Sequence, residues 1–255
     1  KRFGTCSVVT KDKLKIDIAT ARKETYEKPA ALPAVEFSSF RDDLMRRDFT
    51  INAMAISINR PSFGQLIDFF SGKRDLERGR IKVLHGGSFI DDPTRVFRAV
   101  RFESRLGFVI DHATEELIKN AIDQSIFDKV APQRIRDELI LILKEREPLK
   151  ALKRMAELDE LRFVHSALKL DRDLIRLHDS INKTCAEYEI ASYGKTAVDK
   201  WLMYLMALFE GLTQSQVSAV CDRFAFKGPD RLRLLSYKKS SAAIFVSLSV
   251  EGNLA

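Results

Sequence analysis

The chain has 255 residues, 45% of them hydrophobic and 31% charged, the balance of a soluble globular protein and not of a disordered one. No apolar run approaches the roughly 20 residues needed to span a bilayer, and no secretory leader is visible. A net charge of +7 and a sequence pI near 9.3 point to a polyanionic partner.

Residues 6–9 and 14–19 alternate apolar and polar side chains around Lys11, Asp12 and Lys13, the pattern of a hairpin. Asp17 falls on the polar face of the second strand, between Ile16 and Ile18. Residues 25–39 carry Pro29, Pro33 and small residues and read as a mobile loop. A short helix is expected over 49–58 and a strand or extended segment over 65–70. From Asp75 onward the pattern turns helical almost without interruption. Asp91 or Asp92 is placed to N-cap a helix with Pro93 in its first turn and Gly107 as its stop. Asp111 caps the next, through Ile122. Pro132 opens a third, with Ile135, Leu139, Ile142 and Leu143 at core spacing. Amphipathic helices are expected near 148–159, 171–189, 197–210, 213–224 and 229–239.

The three cysteines, Cys6, Cys185 and Cys221, are far apart and odd in number. They fit neither a disulfide framework nor a zinc site, and a reduced cytosol is the simplest reading. The four histidines are not clustered at metal spacing either. Lys1 is not an initiator methionine and the chain stops without a natural tail, which reads as a piece of a longer protein.

Two charged elements stand out. Residues 46–53 gather Arg46, Arg47, Asp48 and Asn52 around Phe49, Ile51 and Ala53. The three apolar residues can anchor the segment while the four polar ones bind a ligand or fix neighbouring backbone; Asp48 also fits as a helix N-cap. On a helical wheel through the second element, Arg95 lies at roughly 40° from Asp91, Arg98 at roughly −20° and Arg101 at roughly −80°, opposite Val96, Phe97 and Val100. That polar face suits a phosphorylated, hydrogen-bonding ligand, since arginine offers forked donors to phosphates and base edges. It equally fits a salt-bridged solvated face. Phosphate-loop, dinucleotide-fold, nucleophile-elbow and zinc-protease signatures are missing from the sequence.

Taken in order, these stretches resemble the class II tRNA nucleotidyltransferases and bacterial poly(A) polymerases. Residues 46–55 are similar to that family's second motif, 68–76 to its third, 91–95 to its fourth and 133–139 to its fifth. The resemblance implies an α+β, mostly helical fold. A partial polymerase-β-type nucleotidyltransferase head (1–72) leads into a helical, nucleotide-selecting neck (73–147) and a helical, RNA-binding body and tail (148–255). It implies that Arg47, beside Arg46, contacts the nucleotide while Asp48 and Asn52 organise its ribose side. Asp92 and Arg95 would read the Watson–Crick edge of CTP or ATP, with Asp91 beside them, and Arg98 and Arg101 would hold the triphosphate. Asp91 stands where the family usually has Glu, one methylene longer. The implied partner is the acceptor arm of tRNA, the cofactor Mg²⁺ and the compartment the cytoplasm. Asp17 matches a third metal-proximal, catalytic carboxylate, whereas the family's Asp-x-Asp pair is expected upstream of Lys1, leaving this piece inactive by itself. The implied reaction is CMP or AMP addition to the tRNA 3′ end. A poly(A) polymerase and an inert nucleotide- or RNA-binding module are the alternatives.

Overall fold

The computed structural model describes residues 4–25, 33–124, 126–191 and 198–250. Its chain divides into two compact units, Lys1–Lys129 and Val130–Ala255. It is mostly helical, with four small two-stranded sheets among the described residues.

The first unit opens with the expected hairpin, β1 (Thr5–Val9) antiparallel to β2 (Lys15–Ala19), which sets Ser7 opposite Asp17. Residues 25–39 depart from the expected loop. Arg22–Thr25 (β3) pairs antiparallel with Ala34–Phe37 (β4), where strand-favouring Val35 and Phe37 flank Glu36, whose carboxylate pairs with Lys23 directly across at 2.9 Å. Residues 26–32 of the expected loop lie outside the described residues.

Helix α1 (Phe40–Met45) follows, a helix not expected from the sequence. Ser39 caps it by accepting from the Asp42 amide, and Asp42 and Asp43 complement the positive end of its dipole. The helix expected over 49–58 is instead a 3-10 turn (Thr50–Asn52) and a strand, β5 (Met54–Ile56), antiparallel to β6 (Leu66–Asp68). Tertiary hydrogen bonding overrides the helix. Phe49 bridges Val83, and the Thr50 amide donates to the Lys82 carbonyl at 2.9 Å.

Asp68 then organises the entry to α2 (Gly72–Glu77). Its carboxylate accepts from the backbone amides of Phe70, Gly72 and Lys73 at 3.2, 2.8 and 3.0 Å. Burial pushes this carboxyl up, but the amide donors together outweigh it and hold the group below the usual aspartate range. Asp68→Ala should therefore cost about 1–2 kcal/mol in urea unfolding at pH 7, the scale of a lost helix cap. An unchanged midpoint would show that water replaces the carboxylate without penalty.

The run beyond Asp75 is less purely helical than its pattern indicates. β7 (Arg80–Ile81) and β8 (Val109–Ile110) form a short parallel ladder. Helix α3 (Ser88–Asp91) is separated from α4 (Arg95–Leu106) by a break at Asp92, whose backbone is extended. The expected N-cap is corrected accordingly. Thr94 occupies that position, while the Asp92 carboxylate accepts from the Thr94 amide at 3.1 Å and hydroxyl at 2.6 Å. Gly107 ends α4 with a φ of 66°, as its role of C-terminal stop requires. Helix α5 (His112–Asp123) and a 3-10 turn (Ile126–Lys129) complete the unit. Phe49, Phe89, Val96, Phe97, Val100 and Phe127 fill its core, with Phe97 and Phe127 edge-on at 5.7 Å.

The second unit is built of α6 (Pro132–Leu143), α7 (Pro148–Glu157), a 3-10 turn (Glu160–Phe163), α8 (Arg172–Ala191), α9 (Lys200–Leu208), α10 (Gln214–Arg223) and α11 (Gly228–Val250). Ile135, Leu139, Ile142 and Leu143 are buried as their spacing requires. The last helix runs well past the expected 229–239. Thr213 and Gln216 form a capping box on α10. Arg136 donates to the Phe224 and Ala225 carbonyls, both at 2.9 Å, where α10 ends. All three cysteines are free thiols, Cys6 exposed and the other two buried. Among the described residues no helix is long and apolar enough to cross a membrane.

Candidate nucleotide site

Phe49, Ile51 and Ala53 are buried, and the Thr50 hydroxyl donates to Asp75 at 2.8 Å. The 3-10 turn is thus anchored on its apolar side, as expected, and its polar residues are presented together. Asp48 is the hub. One carboxylate oxygen accepts from the Phe49 amide at 2.8 Å and from Asn52 Nδ2 at 3.0 Å. The other accepts from Arg98 Nε at 3.0 Å and from Arg98 Nη2. Asp48 is therefore not the N-cap that the sequence also allowed, since Phe49 holds that place. Burial works to raise the Asp48 carboxyl, yet the Arg98 charge and the donors from Asn52, Arg98 and Phe49 prevail and hold it below its ordinary value.

A cleft of about 520 Å³ opens over this hub. Arg46, Arg47, Asp48 and Asn52 line it from the second motif, and Asp92, Arg95 and Arg98 from the start of α4 and the residues before it. Seven of the nine residues assigned to nucleotide binding therefore share one cavity. Glu24 and Phe102 line it too and were not foreseen. Phe102 follows Arg98 by one helical turn, so that helix periodicity alone brings it to the same face. Its ring lies 5.6 Å from the Arg98 guanidinium and 5.3 Å from that of Arg101. Glu24 carries no sequence signal; it sits on β3, just before the segment that reads as a loop.

The four arginines of the cleft are held to different degrees. Arg46 donates from Nη1 to Glu24 at 3.1 Å and from Nε and Nη2 to Asp43 at 3.1 and 2.9 Å. Arg47 has only a 3.5 Å contact to Asp43 and keeps 44% of its side chain exposed. Arg95 is 5% exposed and donates to Ser88 Oγ and the Arg46 carbonyl, each at 2.7 Å. With Glu24, Asp48 and Asp92 as the acidic side chains, the lining carries one more positive than negative charge. It offers fixed donors beside an acceptor, a combination suited to a phosphorylated base.

Asp91 and Arg101 stand apart from this cleft. Asp91 ends α3, so the break at Asp92 takes it off the wheel on which Arg95, Arg98 and Arg101 lie. It borders a neighbouring cleft of about 410 Å³, where its carboxylate is 3.7 Å from His85 Nε2. Burial pushes the His85 imidazole down, Arg95 adds to that, and Asp91 opposes both. Arg101 is buried at 8% exposure, its guanidinium over Phe102.

Asp17 does not line the cleft. It is exposed on β2, where the Ser7 hydroxyl donates to it and Lys15 lies 3.5 Å away. The Ser7 hydrogen bond, with Lys15, holds its carboxyl below the usual range. Among the described residues no group of three or more His, Cys, Asp or Glu is placed to hold a metal ion. These residues do not by themselves compose a divalent-cation site.

Known proteins resemble this chain in sequence and fold. The family described as Poly A polymerase head domain matches residues 1–82, and that described as Probable RNA and SrmB- binding site of polymerase A matches 107–170. The A-adding tRNA nucleotidyltransferase of Geobacter sulfurreducens is 45% identical over 237 residues, 93% of this chain and 27% of the relative. A CCA-adding enzyme in its apo form II has a TM-score of 0.84 at 38% identity, covering 97% of this chain and 57% of the other. A tRNA nucleotidyltransferase complexed with a primer tRNA and an incoming ATP analog has a TM-score of 0.82 at 31% identity, covering 97% of this chain and 69% of the other. The fold and the cleft together define a nucleotidyltransferase architecture. The chain belongs to the tRNA nucleotidyltransferase and poly(A) polymerase family, and it spans about a quarter of the length of its Geobacter relative.

Proposed function

We propose that this chain selects and orients the incoming nucleotide in an enzyme that adds CMP or AMP, from CTP or ATP, to the 3′ end of tRNA. The observation that carries the reading is the joint presence of Asp92 and Arg95 in a cleft lined by three further arginines, Arg46, Arg47 and Arg98, with Arg95 already fixed. Cytosine and adenine each present an exocyclic amine next to a ring-nitrogen acceptor, whereas guanine and uracil present a carbonyl next to a ring N–H. A carboxylate beside a guanidinium matches the first pair and opposes the second, which lets protein side chains replace a template. Arg47 and Arg98 hold the triphosphate, with Arg46 beside them and Arg101 behind, and Asn52 and Asp48 orient the ribose.

In the reaction the terminal 3′-hydroxyl of the RNA attacks the α-phosphate. A new P–O bond forms, the bond to the β-phosphate breaks, and pyrophosphate leaves. A divalent cation is the cofactor class of this family; we take it to be Mg²⁺, which supplies charge neutralisation when bound. Asp17 is the carboxylate of this chain assigned to it. The acceptor arm of tRNA is the RNA partner, gripped by phosphate contacts, and the cytoplasm is the place of action.

Full-length protein incubated with tRNA lacking CCA, CA or A, and with each labelled nucleotide in turn, tests this. CMP and AMP incorporation marks CCA addition, AMP alone onto tRNA ending in CC marks A addition, and long A tracts mark a poly(A) polymerase. Incorporation of none refutes the enzyme and leaves an inert binding module. The identity with the Geobacter A-adding protein over 93% of the chain favours terminal AMP. Arg95→Ala should abolish the preference for the correct base, a loss of about 10- to 100-fold in kcat/KM ratio, while tRNA affinity is retained. Should tRNA affinity fall in parallel with incorporation, the base-reading role of Arg95 is wrong.

A further inference from the structure

Arg95 occupies the first residue of α4, where a cation meets the unfavourable end of the helix dipole. An arginine side chain also has about 2 kcal/mol of rotamer entropy to lose when fixed. Its placement in the cleft is therefore not a default of the helix, and something must hold it. Ser88 does so. This residue is fully buried at the start of α3, and its Oγ accepts from Arg95 Nη1 at 2.7 Å. The Ser88 carbonyl is 3.5 Å from the same Nη1, and it accepts from the Asp92 amide at 3.2 Å. One residue thus bonds both members of the base-reading pair. Arg46 completes the clamp, its carbonyl accepting from Arg95 Nη2 at 2.7 Å. A guanidinium has five N–H donors, and these contacts leave the donors of Nε and part of Nη2 for a base.

We propose that Ser88 is the positioning residue for nucleotide specificity: from outside the cleft lining, it sets the plane of Arg95 and the backbone of Asp92 before the nucleotide arrives. The inference rests on the reading of the cleft as a nucleotide site. A buried serine without a partner is a net cost, so the Arg95 bond also accounts for a polar residue at a wholly buried position. Removing the hydroxyl leaves Nη2 held by the Arg46 carbonyl but Nη1 with only the long 3.5 Å contact to the residue-88 carbonyl. The guanidinium plane is then fixed at one end, and part of the pre-organisation is lost for the bases that use it.

The test is equilibrium binding of ATP, CTP, GTP and UTP to the full-length protein, wild type and Ser88→Ala, with thermal melting of each. Wild type is expected to prefer ATP or CTP. Ser88→Ala should weaken the preferred nucleotides roughly tenfold and the others less than about twofold, because one hydrogen bond to a charged group is at stake. An unchanged preference, or equal weakening of all four nucleotides, overturns the proposal, since a purely structural role moves all of them together. Should Ser88→Ala melt below the assay temperature, Ser88→Cys, with a weaker acceptor of similar size, must show an intermediate preference; wild-type preference there overturns it. A wild-type protein that binds the four nucleotides alike also overturns it. One that discriminates among them yet adds nothing to tRNA leaves Ser88 in its role and refutes the tRNA reading instead.

Discussion

Gly72→Ala is expected to destabilise the first unit by about 3 kcal/mol or more, at the upper end of overpacking penalties. A Cβ on Gly72 would lie 2.2 Å from the carbonyl oxygen of Thr50 and 2.9 Å from the Met54 side chain. The first obstacle is backbone, which cannot swing aside as a side-chain tip can. Thr50 is tied by its amide to Lys82 and by its hydroxyl to Asp75, while the Gly72 amide is tied to Asp68. Relief therefore requires either α2 or the 3-10 turn to move, and that turn ends at Asn52 beside Asp48. Urea unfolding at pH 7 measures the loss, and nucleotide affinity should fall with it. A change under about 0.5 kcal/mol, the range of an ordinary surface substitution, would mean that helix and turn do not approach each other this closely.

Arg98→Ala should have an effect of similar size but with a pH signature. Removing one partner of a buried ion pair costs roughly 3–5 kcal/mol because the other charge is left uncompensated. With Asp48 buried but Arg98 31% exposed, the loss is expected at or below the lower end of that range. In the wild type the Asp48 carboxyl is held below its unfolded value. Its contribution to stability is thus fully present above the unfolded aspartate pKa and fades as pH falls through the lower folded one. Without Arg98 the largest remaining influence is burial, which pushes the carboxyl up. Asn52 and the Phe49 amide still donate to that carboxylate, but its pKa rises relative to wild type. The variant is therefore penalised most at neutral pH, and the gap to wild type narrows as acid protonates Asp48. Unfolding free energies at pH 7 and pH 4 check this, and Asp48→Asn added to Arg98→Ala should recover part of the loss at pH 7. Equal penalties at the two pH values would show that Arg98 contributes packing alone.

The helices from Arg95 onward are legible because their apolar residues recur at helical spacing and their ends carry Gly107, Asp111, Pro132 and Pro148. Residues 49–58 are harder. Phe49, Ile51 and Ala53 are buried as expected, but hydrogen bonds to Lys82 and Asp75, remote in sequence, decide the backbone. A local pattern contains neither partner. The break at Asp92 is similar in kind: Pro93 fits a helical first turn, yet the Asp92 carboxylate bonds to Thr94 and ends one helix before the next begins. That break moves Asp91 to the His85 side while Asp92, Arg95 and Arg98 stay together. Glu24 and Ser88 were invisible because each acts through a partner, Arg46 and Arg95 respectively, and a lone Glu or Ser has no signature. Motif resemblance points to seven residues that line the cleft and carries no sign of those that hold them.

The bond from Arg136 to the end of α10 joins residues 88 and 89 positions apart. Closing so long a stretch of chain carries an entropic penalty that a turn within one helix does not. Such a contact joins two helices and so needs both in place, whereas local turns do not wait on distant partners. An interaction missing from the transition state slows opening without hastening assembly. If its bonds form only after α6 and α10 have met, Arg136 would act as a latch on the lifetime of the helical unit, slowing the departure of the end of α10 from α6 without hastening assembly.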